Sequence, residues 1–246
     1  MRLHPLVCAH RGRSGVAPEN TMAAFEAAID AGADFLELDV RRTADGEIVC
    51  IHDAVVDRTT DGSGLVAEML LAQVRALDAG SWKGDTFAGQ RIPLLREVLE
   101  TIAPRIVMDI EIKDRGIAPQ VVDLVREADA LRRVTIVSFD TGDLRAAKDA
   151  EPALACGLIT SGPAQDSPEA TDELITSALA AGANFVSCAH PKVTATLVRV
   201  CRLAGLGIMA WTMDEPADLR LMIDLRVDAL VSNYPERALE LLEARA

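Results

Sequence analysis

Short runs of β-branched and apolar residues recur along this chain with helix-like stretches between them, and that alternation constrains the fold more than any other feature. Strands are expected at Leu6–Ala9, Phe35–Val40, Ile106–Ile112, Val134–Ser138, Leu154–Ile159, Asn184–Ser187, Gly207–Thr212 and Asp228–Ser232. Helices are expected at Asn20–Ala31, Leu94–Ala103, Pro119–Ala130, Thr141–Ala150, Thr171–Ala181, Thr194–Ala204, Glu215–Leu225 and Glu236–Arg245. Parallel strands need a crossover connection, and each intervening helix supplies one. Several helices open on a capping residue or a proline and close on glycine, as at Gly32, Gly182 and Gly205. Eight such units in 246 residues fit a closed α/β barrel of the TIM (β/α)8 kind. An open doubly wound sheet is the alternative, but the dinucleotide fingerprint GxGxxG is missing. Residues 1–246 therefore read as a single domain.

Two segments break the alternation. Glu47–Ile51 has strand character, yet only six residues separate it from Phe35–Val40, and Asp45-Gly46 is a hairpin turn signal. It is expected as an antiparallel return arm above the second barrel strand. Residues 53–93, rich in Gly, Asp and Thr with a helical patch near Ala67–Leu77, are too long for an ordinary loop and are expected as an insertion over the barrel mouth.

Composition narrows the function classes. The chain is 50% hydrophobic, which is incompatible with disorder. Lys plus Arg number 25 against 38 Asp plus Glu, a formal charge of −13. A field of that sign repels polyanions, so nucleic acid is not expected as a partner, whereas a small anionic substrate needs only a locally positive site. The five cysteines lie among apolar neighbours with no CxxC pair, which reads as buried thiols in a reducing, cytoplasmic compartment. The N-terminal run lacks signal-peptide character, and no apolar run reaches 18 residues, so stable membrane insertion is not expected.

In a strand, residues two apart face the same way. Glu37 and Asp39 thus share one face of an otherwise apolar strand, and they repel each other unless something positive lies between them. A hard divalent cation with oxygen ligands answers that repulsion, although an isolated ExD also describes two unrelated surface acids. Glu111 and Lys113 show the same spacing at the end of Ile106–Ile112, with Asp109 in phase and deeper. The hairpin strengthens these weak signals: pairing about Ala44–Gly46 places His52 opposite Glu37 or Asp39. His10, followed by Arg11, ends the first strand and opens onto the same rim. Barrel enzymes place their chemistry at the C-terminal ends of strands, where His10, Glu37, Asp39, Glu111 and Lys113 all fall.

Residue types then indicate the chemistry. Three carboxylates make an oxygen-rich cation site with room for water or a phosphate oxygen. Arg11 and Lys113 suit a phosphoryl group's equatorial oxygens, and two histidines suit proton transfer on either side of a displacement. Two acid–base groups point to a phosphodiester, in which one oxygen attacks and another leaves protonated.

The run HRGRSGVAPENTMAAF…GADFLELDVRRTADGEIVCIHD…DRTTDGSG closely resembles the glycerophosphodiester phosphodiesterase family. LDAGSW, IPLLREVL, IEIK, SF, WTMD and NYP follow in family order and extend the resemblance over nearly the whole chain. It implies a TIM barrel with a small insertion, a magnesium or calcium ion held by Glu37, Asp39 and Glu111, and His10 and His52 as the general acid–base pair. It also implies phosphate contacts from Arg11 and Lys113, Glu19 and Asn20 near the mouth, and Trp211 packing beside a small-molecule substrate. The implied reaction releases glycerol 3-phosphate and an alcohol from a glycerophosphodiester. A lysophospholipid phosphodiesterase using the same site and a non-catalytic phosphate-binding barrel are the alternatives. The chain departs from the family pattern at Asp109, where Asn is usual, at WTMD for WTVN and at SNYP for TDYP, so Asn233 leaves the role of the usual aspartate open. His4 and His190 are expected to be surface or structural.

Overall fold

Eight of the apolar runs close into a ring. The computed structural model describes residues 4–163 and 167–245. Its strands are β1 (Leu6–Ala9), β2 (Phe35–Arg42), β3 (Ile48–Cys50), β4 (Val107–Ile112), β5 (Val134–Ser138), β6 (Ala155–Thr160), β7 (Phe185–Ala189), β8 (Gly207–Trp211) and β9 (Ala229–Ser232). All except β3 pair in parallel, in the order β1-β9-β8-β7-β6-β5-β4-β2, and a β1–β2 pairing shuts the barrel. The expected TIM-type architecture is what the chain adopts.

The helices are α1 (Met22–Asp30), α2 (Leu71–Ala76), α3 (Leu95–Thr101), α4 (Ala118–Glu127), α5 (Thr141–Ala150), α6 (Pro168–Ala180), α7 (Ala195–Leu203), α8 (Pro216–Leu225) and α9 (Pro235–Glu243). Thr21, Asp140, Ser167 and Thr194 cap their helices by accepting backbone N–H groups, and proline stands in the first turn of α4, α6, α8 and α9. At two helices whose starts differ from the expected ones, a cap explains the difference. α6 begins at Pro168, ahead of Thr171, because Ser167 supplies the cap. α1 begins after Thr21, which leaves Asn20 outside the helix in the left-handed region at φ 56°.

The main core lies between strands and helices, with Leu36, Leu38, Val40, Ile110 and Ile136 fully buried in it. A smaller apolar plug of Cys8, Met209, Ala229 and Val231 fills the barrel interior. β3 pairs antiparallel with β2, Val40 facing Cys50, as the turn at Gly46 requires. Glu37 O accepts from Gly12 N and Asp39 O from Ile51 N, so the return arm takes up the edge of β2 that β1 leaves. The segment between β3 and α3 carries α2 and two single turns of 3-10 helix, at Val66–Glu68 and Asp85–Phe87. It folds on its own cluster of Val49, Ile51, Val56, Val66, Val74 and Ile92. All five cysteines are free and buried.

Candidate active site

The pleat of β2 sorts its side chains. Leu36, Leu38 and Val40 enter the outer apolar layer, so Glu37 and Asp39 turn to the barrel axis. In register, Glu37 faces Asp109 and Asp39 faces Glu111 on β4. Single oxygens of Glu37, Asp39 and Glu111 lie within 4.8 Å of one another, and all three residues are buried.

Each carboxylate responds differently to that crowding. Burial, with Asp39 and Glu111 alongside, pushes the Glu37 carboxyl well above the usual range. Burial and Asp39 push Glu111 up to about 7 against the pull of Lys113. Burial also opposes charge on Asp39, but Arg11, Lys113 and His52 outweigh it and hold that carboxyl below its ordinary value. Arg11 Nε lies 3.2 Å from Asp39 Oδ2, and Lys113 Nζ lies 3.3 Å from Asp39 Oδ1 and 2.5 Å from Glu111 Oε1. The Asp39 contacts are ion pairs without hydrogen-bond alignment at Oδ1 or Arg11 Nε, and Glu37 Oε1 also accepts no hydrogen bond. A hard divalent cation fits this donor set: all-oxygen ligands, crowded like charges and two buried carboxylate oxygens lacking donors.

Arg11 sits in the left-handed region at φ 55°, and the turn continues through Gly12 at φ +76°. A Cβ on Gly12 would lie 2.6 Å from the Ala24 backbone, so only glycine lets this turn pack against α1. That turn brings Arg11 N to Glu37 Oε2 at 2.9 Å and the Arg11 guanidinium to Glu19 Oε1 at 2.8 Å. Asn20 lies beside the carboxylate cluster, at the end of the barrel where it is expected. It is buried, donates to Asp39 Oδ2 at 2.8 Å and accepts from Asp39 N at 3.1 Å.

The two histidines reach the site from different structures. His10 ends β1, its Nδ1 2.8 Å from Asn233 Oδ1 and its Nε2 3.9 Å from Glu37 Oε2. Burial, reinforced by Arg11, pushes its pKa down to about 4. His52 follows β3, with Nδ1 2.6 Å from Asp53 Oδ1. Burial lowers its pKa too, while Asp39 and Asp53 work in the opposite direction. Arg58 Nε donates to Asp53 Oδ2 at 2.6 Å and holds that carboxyl well below its usual range. Arg58 also grips Glu19 through both terminal nitrogens at 2.8 Å, joining the His52 and Arg11 supports into one network.

These groups open into a cleft of about 270 Å³ at the C-terminal ends of the strands. Of the eight side chains expected at the site, His10, Arg11, Glu37, His52, Glu111, Lys113 and Trp211 line it, and Asp39 is wholly buried beside them. The opposite wall is apolar: Val137, Phe139, Ile159, Met209 and Trp211. Phe139 meets Trp211 edge-on, with centroids 6.1 Å apart, and Trp211 Nε1 donates to Ser187 O at 3.0 Å. Asp109 also lines the cleft outside the three-carboxylate cluster; burial pushes its pKa up to about 7 against the hydrogen bond from Thr135. It therefore carries less negative charge near neutral pH than its sequence position implies. His190 lies off the cleft, 3.7 Å from Asp218.

The sequence pattern of the Glycerophosphoryl diester phosphodiesterase family matches residues 10–237. The chain belongs to that family. By that membership it is an enzyme of the phosphoric diester hydrolase class. It is 38% identical to a glycerophosphodiester phosphodiesterase of Caldanaerobacter subterraneus, over 96% of this chain and 97% of the relative. A glycerophosphodiester phosphodiesterase from Agrobacterium tumefaciens superposes with a TM-score of 0.84 at 30% identity, covering 96% of this chain and 99% of the other. A phosphodiesterase from Oleispira antarctica, solved in complex with the product sn-glycerol-3-phosphate, gives a TM-score of 0.86 at 28% identity, covering 98% and 97%. Sequence reasoning assigned no role to Asp53, Arg58, Asp214 or Phe139, which entered it only as members of the compared motifs. Asp53 stands next to His52, a signal that could have found it, whereas the other three touch the site only through the folded barrel.

Proposed function

We propose that this chain hydrolyses glycerophosphodiesters to glycerol 3-phosphate and an alcohol, at a divalent-cation site held by Glu37, Asp39 and Glu111. The observation that carries the reading is the cleft where three crowded carboxylates meet two cations and two imidazoles. A bound Mg²⁺ or Ca²⁺ would offset the carboxylate charge and polarise a phosphoryl oxygen.

The chain's own groups do the rest. Arg11 and Lys113, on the wall of the cleft, orient the phosphoryl group and offset its charge. Both histidines present Nε2 to the cleft, because a partner takes Nδ1 in each case. One imidazole takes the proton of the attacking oxygen, from water or from the substrate's own glycerol hydroxyl, as that oxygen bonds to phosphorus, and the other delivers a proton to the departing alcohol oxygen as its bond to phosphorus breaks; on the hydroxyl route, water then opens the cyclic phosphate to glycerol 3-phosphate. The apolar wall at Phe139 and Trp211 packs the carbon-bearing side of the substrate and excludes water. The reading takes the whole chain as one catalytic domain and, from its buried free cysteines, places it in the cytoplasm.

A lysophospholipid phosphodiesterase activity at the same site is the second reading. The apolar wall favours it, since Phe139 is 52% exposed at the rim where an acyl chain would leave. The charge of −13 opposes an anionic membrane, and no helix among the described residues is long and apolar enough to cross one. Glycerol 3-phosphate release from glycerophosphocholine, measured beside lysophosphatidylcholine cleavage, tests the two. Release from the first substrate supports the primary reading, and cleavage of the lysolipid alone replaces it.

A further inference from the structure

Asp214 takes no part in the chemistry described above, yet it is joined to it. Its Oδ1 accepts from Ser232 Oγ at 3.1 Å and Asn233 N at 2.9 Å, and its Oδ2 accepts from Asn233 Nδ2 at 2.6 Å. A carboxylate cannot donate, so the Asn233 amide must turn its NH2 toward Asp214 and its oxygen away. That oxygen accepts from Ser14 Oγ at 2.7 Å and faces His10 Nδ1 at 2.8 Å. The opposite amide orientation would set two acceptors 2.6 Å apart, which the Asp214 charge forbids. Asn233 Oδ1 can only accept, so His10 Nδ1 carries the hydrogen and Nε2 presents its lone pair to the cleft.

We propose that Asp214 is a positioning residue of the reaction, one that sets the Asn233 amide and through it the tautomer of His10. The proposal rests on the reading of His10 as a proton-transfer group. The surroundings are built to hold the relay. The loop after β1 is tied to the loop after β9 by the bond from Gly15 N to Asn233 O, at 2.9 Å, and Gly15 leaves no room for a Cβ against the Tyr234 ring. Arg237 donates to Asp214 O at 2.6 Å and lies over that same ring, its Cζ 4.1 Å from the centroid. The two departures at positions 214 and 233 are thus one feature, because the exchanged amide and carboxylate touch each other.

The test reads the His10 ring nitrogens of the full chain by ¹⁵N NMR, alongside kinetics on glycerophosphocholine. The unmodified protein should show His10 as the Nδ1–H tautomer. Asp214→Asn and Asn233→Asp should each lower kcat by roughly 10- to 100-fold with KM shifted less than about threefold, since outer partners of a reacting imidazole act on turnover. The double variant Asp214→Asn/Asn233→Asp restores one amide donor facing one carboxylate and should recover most of the lost kcat. An Nε2–H tautomer in the unmodified protein overturns the proposal, and that spectrum needs no variant to fold. Folded single variants with unchanged kcat, or a double variant no better than the singles, overturn it as well. His10→Ala at full activity would instead sink the functional reading and leave the tautomer assignment standing.

Discussion

The two histidines face one cleft from supports of different origin. His10 stands on the barrel itself, at the end of β1, and is held by Asn233 from beyond β9. His52 stands on the return arm and is held by its own neighbour Asp53, which Arg58 of the excursion clamps in turn. In both cases a protein oxygen takes Nδ1, and the residue lines the cleft. The acceptors differ in charge: a neutral amide at His10, with the carboxylate one residue further back, and a carboxylate directly at His52. One ring orientation is thus reached twice by unrelated routes, and the position of Nδ1 against a protein oxygen, more than the charge behind it, is what the two supports share.

Removing each histidine tests that symmetry most severely. His10→Ala and His52→Ala should each lower kcat by 10² or more, roughly the range of general acid–base catalysis. Steady-state release of glycerol 3-phosphate checks this, and a variant within about tenfold of the parent breaks the pairing. Asp53→Asn sharpens the contrast. Arg58 can only donate, so the new amide would give it the oxygen and turn its NH2 to His52 Nδ1, forcing the wrong tautomer. A kcat loss of at least about 100-fold is expected, with protein fold unchanged by circular dichroism. Arg58→Leu removes the clamp but leaves Asp53 charged, so a loss near tenfold is expected, and its effect should vanish in an Asp53→Asn background.

The smallest expected effect concerns stability and pH. Glu111 has its pKa raised from 4.5 to about 7 in the folded chain, and Asp109 from 3.8 to about 7, both by burial. Folded protein therefore holds protons that the unfolded chain has released, and stability falls as pH rises from the unfolded values through about 7. Thermal melts in EDTA should drop by a few degrees over that window. Added Mg²⁺ should flatten the drop, because a cation rewards the ionised form. A melting temperature that rises across the window contradicts the burial argument.

Much of this was legible because the signals were local. The strand–helix alternation, the ExD pair and the Asp45-Gly46 turn each need only a few adjacent residues, and together they located Glu37, Asp39 and His52. The support of His52 was equally legible, since Asp53 is its neighbour. The support of His10 was not: Asn233 lies 223 residues away in sequence and meets it only when β9 pairs with β1. Asn20 was expected inside the helix for a related reason, because its left-handed turn, which delivers it to Asp39, follows from Thr21 taking over the helix cap. Arg58 was hidden in an excursion whose path is fixed by a small core of its own.

The most direct measurement is glycerol 3-phosphate release from glycerophosphocholine by EDTA-stripped protein, with Mg²⁺ or Ca²⁺ restored, run beside a Glu37→Gln variant that melts at or above the parent temperature in EDTA. Release by the parent is expected only when metal is restored, with at least about 100-fold less from the variant under every condition. Release that ignores EDTA, or a Glu37→Gln variant at the parent rate, would contradict a cation held by the three carboxylates.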